Sequence, residues 1–303
     1  MHNENKPTIS VVMATYNRSN LLQYSIGSLL QNTFQDWELI VVGDCCTDDT
    51  AQVVNNFNDP RIQFINLESN VGEQTGPNNI GMSLAKGDYI AFLNHDDMWC
   101  EHHLQCSLDA LVTADADLVF SQALWVPFDA PLSLSGATVG EVQAYQPWMV
   151  VPATLWLFRK SLIEKVGDWK FSKELHRIPS QDWLYRAHQS RAKILANPVL
   201  TAVILNSATR LNAYSERQMA EHEQWYKIAS DTAALGQVVA SAYGAQLQNL
   251  ITMNVGLAIK RLVGLMGRKL LFKLQIFPPD LAYWLRFPRK GEVIRMARKR
   301  RGL

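Results

Sequence analysis

Ala85-Lys86-Gly87-Asp88-Tyr89-Ile90-Ala91-Phe92-Leu93-Asn94-His95-Asp96-Asp97-Met98-Trp99 decides how this chain is read. A polar Lys-Gly-Asp turn leads into an apolar run of strand length, Tyr89–Leu93, and then directly into an amide, a histidine and two carboxylates. Such a run, bounded by turn residues on both sides, predicts a strand buried on both faces, the kind found in parallel sheets. The polar turn then sits at the carboxyl end of that strand, where open parallel sheets bind their ligands.

Working outward, the same strand-then-helix alternation recurs. Ile9–Ala14, Trp37–Val42, Ile62–Asn66 and Leu118–Ala123 read as further strands, and segments of helical period lie between them: Leu21–Leu30, Asp48–Phe57, Gly76–Ala85 and Glu101–Ala114. The alternation predicts an α/β fold, a mostly parallel, doubly wound sheet with helices on both faces. After Trp125 the regularity fails. Pro127–Pro147 carries no firm period, Pro152–Val166 holds a short strand and a helix, and Pro179–Ala192 reads as a helix. From Gln218 onward the pattern is helical, broken at Pro278-Pro279. The expected division is 1–210 as one α/β domain, with halves at 1–125 and 126–210, followed by 211–303 as a helical, basic region.

Composition agrees with a folded chain. Hydrophobic residues are 48% and charged residues 19% of the 303, a balance that reads as globular rather than disordered, and no stretch reaches the ~18 consecutive apolar residues that a spanning helix needs. The formal net charge of +1 hides an asymmetry. Lys260–Leu303 holds thirteen Lys and Arg against Asp280 and Glu292, a local +11, which leaves about −10 for the rest. Adjacent Cys45 and Cys46, with Cys100 and Cys106, match neither a zinc spacing nor a disulfide framework, so reduced thiols are expected. Met1–Lys6 is polar and leads straight into a strand, giving no sign of a secretory signal; a cytoplasmic location is expected.

Three strand ends carry the polar chemistry: Thr15-Tyr16-Asn17-Arg18, then Gly43-Asp44-Cys45-Cys46-Thr47-Asp48-Asp49-Thr50, then Asn94-His95-Asp96-Asp97. Paired Asp96 and Asp97 on a tight turn suit a hard divalent cation, Mn²⁺ or Mg²⁺, with positions left open for phosphate oxygens. A solvated pair near a helix N-terminus reads equally well from those two residues alone. Asp48 or Thr47 reads as an ordinary helix cap.

In order and spacing these segments resemble the family-two glycosyltransferases. Ile9–Arg18 is similar to that family's opening strand, Leu39–Thr50 to its VVDDGSTDDT segment, and Ala85–Trp99 to AKGEYIAFLDSDDxW; the likeness runs over roughly Pro7–Cys106. The resemblance implies the GT-A fold, with an inverting transfer of sugar from a nucleoside diphosphate-sugar, UDP-linked, to a glycan or lipid-linked acceptor in polysaccharide or cell-envelope synthesis. It implies a donor site formed by Thr15, Tyr16, Asn17, Arg18, Asp44, Asn78, Asn94 and Asp96, with Asp44 reading the base and a metal at Asp96 and Asp97. Ser180-Gln181-Asp182-Trp183-Leu184 matches the segment that carries the catalytic base, so Asp182 takes that role. The chain departs from the family at Gly43 and Asn94, which stand where Asp is usual, at Gln181 for Glu, and at Pro77-Asn78-Asn79, which lacks a common Arg.

Two other function classes stay open from the residues: a nucleotide-sugar-binding protein without catalysis, and a metal-dependent phosphohydrolase built on His95, Asp96, His102 and His103. A strand before His95 disfavours the second, whose fold is helical. His102 and His103 are expected on a helix surface, His176 in a surface loop, and most of Trp125, Trp148, Trp156, Trp169 and Trp183 in the core. The tail mixes Leu262, Val263, Met266, Leu270 and Trp284 with basic residues, which suits helices in an anionic membrane surface through 260–303. A packed appendage closing the acceptor site, or a dimer contact, fits the same composition. Base-reading or stacking modules are missing, so no nucleic-acid partner is expected.

Overall fold

The computed structural model describes all residues except 1–5, 138–142, 206–211, 215–218, 252–255, 257, 258, 261, 262, 265, 268, 269 and 271–284. Leu262 and Trp284, and the Pro278-Pro279 break, therefore lie outside the described residues.

The sheet grows from β1 (Ile9–Thr15), a β-branched run buried almost throughout. It pairs in parallel with β2 (Trp37–Gly43) on one side and β4 (Tyr89–Phe92) on the other. β3 (Ile62–Asn66) adds in parallel outside β2. The order β3-β2-β1-β4 reverses direction between β1 and β4. A crevice opens at such a reversal because the connections on either side leave in opposite directions. Helices α1 (Ser19–Leu30), α2 (Thr50–Asn55) and α3 (Thr75–Leu84) make the crossovers, with α3 packed on β1 and β2.

Beyond β4 the sheet turns mixed. The next neighbours in order are β8 (Trp156–Arg159), β6 (Leu118–Val126), β9 (Ile194–Leu205) and the two-residue β5 (Met98–Trp99), with β7 (Ser133–Gly136) hung on β6. β8 is antiparallel to both β4 and β6, whereas β6 and β9 run parallel. β9 has no counterpart in the expected strands. Pro198 interrupts its apolar run and cannot donate to a ladder. The sheet accommodates it through register shifts opposite Phe120–Ala123, where Phe120 faces Ala196 and Gln122 faces Leu200. α4 (His103–Thr113), α5 (Leu162–Val166) and α6 (Pro179–Gln189) complete this half.

Trp156, Trp169 and Trp183 are core residues, as expected: Trp156 stacks on Trp183 at 5.9 Å between ring centroids and Phe92 meets Trp169 edge-on at 5.0 Å. His103 is not on a surface. It is fully buried, stacked on Trp99 at 4.1 Å, because β9 closes over the first turn of α4 and Thr201 bonds its Nδ1 at 2.7 Å. His102 is half-buried and reaches the Leu200 carbonyl at 3.0 Å. All four cysteines are free thiols.

α7 (Ala220–Ala229) and α8 (Thr232–Ile251) share a second core cluster with the β5–β6–β9 edge, built on Tyr24, Met98, Leu124, Val203 and Trp225. Tyr226 and Ser230 both bond the Gln31 side chain, at 2.9 and 2.8 Å. The last helix, α9 (Glu292–Arg301), has no fully buried residue and lies against the mouth of the crevice. Among the described residues no helix is long and apolar enough to cross a membrane.

Candidate functional site

At the carboxyl ends of β1 and β2 the two loops are tied together. The Asp44 N–H donates to the Thr15 carbonyl at 2.8 Å. Asn17 adopts a left-handed backbone (φ 47°), which asparagine tolerates, and its Oδ1 accepts from the Thr47 N–H at 2.8 Å. Asp48 caps α2 by accepting from the Thr50 N–H at 3.1 Å. Burial pushes the Asp48 carboxyl up, but hydrogen bonds from Thr50 and Ser19 outweigh it and hold the group below its usual range.

Asp44 organises the loop that follows β3. Its carboxylate accepts from the Val71 N–H at 2.7 Å and the Gly72 N–H at 2.8 Å, and its carbonyl accepts from Asn70 Nδ2 at 2.8 Å. Gly72 is favoured as glycine by its φ of +82°, and the end of the Arg298 side chain fills the space that a Cβ would take, 1.9 Å from Nη1. Gly43 has a comparable reason. A Cβ would meet Asn66 Oδ1 at 2.5 Å, and that amide clasps Cys46 by accepting from its N–H at 2.8 Å and donating to its carbonyl at 2.9 Å.

The turn after β4 splits its two carboxylates. Asp96 lines the crevice, whereas Asp97 is 1% exposed and points into the body. Asn94 Nδ2 donates to Asp97 Oδ2 at 2.7 Å. Burial first, and the neighbouring Asp96 charge second, raise the Asp97 carboxyl well above the ordinary range against the bonds from Asn94, Thr154 and Leu205. His95 Nδ1 donates to the Ala14 carbonyl at 3.1 Å, which leaves Nε2 as an acceptor in the neutral ring. Burial lowers the His95 pKa, with Arg18 and Arg301 adding to it and Asp96 opposing, so the ring is neutral at pH 7.

These ends enclose a cavity of about 360 Å³. Its floor is Thr15, Tyr16, Asp44, Asn94, His95 and Asp96; Gly72–Gln74 and Pro77 form one wall and Ile178–Pro179 another. The Thr15 hydroxyl is buried there with no hydrogen-bond partner among the described residues. Tyr214 and α9 make the roof, α9 presenting Val293, Ile294, Ala297, Arg298 and Arg301. Arg298 Nη1 donates to the Gly72 carbonyl. The Asn212 and Tyr214 N–H groups donate to the Arg300 and Arg301 carbonyls at 2.9 and 3.2 Å. Tyr214 stands 6.3 Å from His95 and 6.4 Å from Tyr16, ring to ring, with Arg18 4.9 Å above its ring.

Of the residues expected at a donor site, Thr15, Tyr16, Asp44, Asn94 and Asp96 line the cavity, and Asn17, Arg18 and Asn78 are not among its lining residues. Arg18 bonds the Ala213 carbonyl, and Asn78 is buried in α3. Asp97 and Asp182 also lie outside the lining. Asp182 sits in the first turn of α6, whose preceding Ile178 and first residue Pro179 do line it; Arg186 Nε donates to Asp182 Oδ2 at 2.8 Å. Gln181 clasps the Val151 backbone, accepting at 3.1 Å and donating at 2.8 Å, a two-way bond that a carboxylate would not make. Tyr214, Arg298 and Arg301 were invisible from sequence position because they fall in the region read as an appendage. Their one advance signal was the basic character of the tail.

For a divalent ion the turn after β4 offers the Asp96 carboxylate, with Asn94 and His95 beside it among the described lining residues. Among the described residues no three His, Cys, Asp or Glu side chains gather as a resident metal requires. One carboxylate completed by phosphate oxygens and water does suit an ion of the Mg²⁺ kind, so the donor set fits a metal that arrives with substrate.

The family model for glycosyl transferase family 2 matches residues 10–167. The putative teichuronic acid biosynthesis glycosyltransferase TuaG of Bacillus subtilis (strain 168) is 31% identical over 118 residues, 38% of this chain and 46% of that protein. The Escherichia coli UDP-Glc:alpha-D-GlcNAc-diphosphoundecaprenol beta-1,3-glucosyltransferase WfgD is 31% identical over 112 residues, 37% and 44% of the two chains. The chain thus spans less than half the length of these curated relatives. Among solved structures, S. aureus TarS 1–349 in complex with UDP-GlcNAc superposes with a TM-score of 0.59 at 17% identity, covering 92% of this chain and 79% of that one. The mannosyltransferase PcManGT from Pyrobaculum calidifontis, in complex with GDP-Man and Mn²⁺, gives 0.52 at 14% identity, covering 97% and 87%. At these identities the likeness establishes the GT-A fold.

Proposed function

The chain belongs to glycosyl transferase family 2, and from that membership we propose that it moves a sugar from a nucleoside diphosphate-sugar, UDP-linked, onto a hydroxyl of a glycan or lipid-linked acceptor with inversion at the anomeric carbon. The observation that carries this reading is the convergence of Thr15, Tyr16 and Asp44 with Asn94, His95 and Asp96 in one cavity at the β1/β4 reversal. The first three suit a nucleoside: an aromatic face, a buried hydroxyl without a partner among the described residues, and a carboxylate whose oxygens keep lone pairs beyond those bonded by Asn70, Val71 and Gly72. The second three suit a diphosphate. A UDP-sugar as donor is supported by the UDP-GlcNAc complex of TarS, and a lipid-linked acceptor by the name of WfgD.

In the reaction so assigned, the acceptor oxygen attacks the anomeric carbon while the bond to the β-phosphate oxygen breaks, and the nucleoside diphosphate leaves with the electron pair. Asp182 takes the acceptor proton, and Arg186 holds that carboxylate in one orientation. Asp96 would hold a Mn²⁺ or Mg²⁺ ion, which when bound supplies charge to the departing diphosphate. A peripheral place on the cytoplasmic face of a membrane is part of the reading. It rests on Ile259, Val263, Met266 and Leu270, at helical spacing in a stretch whose described residues are helical, and each more than half exposed.

Titration calorimetry of UDP, with and without Mn²⁺, on the wild type and Asp96→Ala is the test. The reading expects UDP to bind the wild type and its Mn²⁺-dependent component to vanish in the variant. No binding of any nucleoside diphosphate would sink it. Binding without transfer to any glycan acceptor would leave a nucleotide-sugar-binding protein.

A further inference from the structure

We infer that Arg298 and Arg301 of α9 bind the donor's diphosphate, so that the cationic half of the donor site comes from the far end of the chain; this rests on the donor-site reading above. Among the described residues lining the cavity, they are the only Lys or Arg side chains. They face a floor that carries Asp44 and Asp96, a surface that by itself repels an anion. None of Pro77, Asn78 and Asn79, the segment where an arginine is expected at the front of the chain, supplies a positive charge.

Arg301 Nε is buried without a hydrogen-bond partner among the described residues, a costly state for a charged group unless a ligand accepts from it. Its charge is felt at His95 and Tyr214, which both line the cavity. Arg298 donates one N–H to the Gly72 carbonyl and keeps the rest of its fork for the cavity. The loop after β3 leaves room for it, since the Arg298 guanidinium lies against the open side of Gly72. The apolar residues Val293, Ile294 and Ala297 of the same helix line the cavity beside the two arginines.

The experiment uses the full chain and three ligands, uridine, UMP and UDP, each titrated in EDTA and in Mn²⁺. Arg298→Gln/Arg301→Gln should lose about tenfold or more in UDP affinity, in both conditions, and leave uridine affinity unchanged. Arg298→Lys/Arg301→Lys, which keeps charge but not the fork, should recover part of the loss. Equal losses for uridine and UDP would mean that α9 merely roofs the cavity and would overturn the inference. So would UDP affinity that the Gln variant leaves intact. A wild type that binds no nucleoside diphosphate removes this inference and the donor-site reading together.

Discussion

Asp96 and Asp97 differ by one position and by everything that surrounds them. Asp96 lines the cavity; Asp97 is sealed behind it and accepts from Asn94. Asp96→Ala is therefore expected to abolish sugar transfer with little change in melting temperature. Asp97→Ala should instead cost roughly 1–3 kcal/mol of stability, by stranding buried donors, and should bind UDP as the wild type does once folded. Urea unfolding beside UDP titration separates the two; equal loss of UDP binding in both would restore Asp97 to the site. Asp182→Asn keeps the shape and the Arg186 contact but loses the base. It should bind donor normally and turn over about 10²–10⁴-fold more slowly, and undiminished turnover would reject the assignment. At this scale the sequence spoke where position alone matters. Thr15 ends β1 and Asp44 directly follows β2, so the end of the sheet aims them, and Asp96 sits on the short turn that leaves β4. Asn17 and Arg18 lie two and three residues beyond the end of β1, where the left-handed backbone of Asn17 redirects the chain, and no periodicity reports that.

Among the elements, β1 to β4 and their helices were legible because each strand is a bounded apolar run and each helix keeps one periodic face. β9 was not, since Pro198 and Asn197 break its run and only register shifts in β6 rescue the pairing. That strand matters to α4, because it buries His103. Burial, with the neighbouring His102 adding, lowers the His103 pKa to about 3 against a weaker effect of Thr201. The folded ring stays neutral, while the unfolded chain takes up a proton near pH ~6.5. The resulting stability is fully present above that pH and is lost as pH falls from ~6.5 toward 3. His103→Phe retains the stack on Trp99 and removes the titration. Its loss of stability between pH 7 and pH 5, followed by urea denaturation, should be smaller than that of the wild type; an identical slope would show that other groups govern the acid limb.

Over the whole molecule, the charge imbalance read from the composition finds two uses for one tail. α9 sends Arg298 and Arg301 to the cavity, while Arg295, Lys299 and Arg300 face outward. Upstream, Ile259, Val263, Met266 and Leu270 present an exposed apolar stripe. Replacing these four by Ser in the full chain should abolish flotation with anionic liposomes at low salt and leave UDP binding unchanged; flotation that persists would assign membrane contact elsewhere or nowhere. Removing the tail instead would strip the roof from the cavity and confuse the two roles, which the expected boundary near residue 210 did not foresee. The roof also sets a clock. With no fully buried residue, α9 is held by less burial than the strands beneath it, so it detaches at a smaller free-energy cost than the sheet unfolds. If spent nucleotide must leave past that helix, the rate at which α9 swings free, and not bond cleavage, becomes the ceiling on how many sugars one molecule delivers per second.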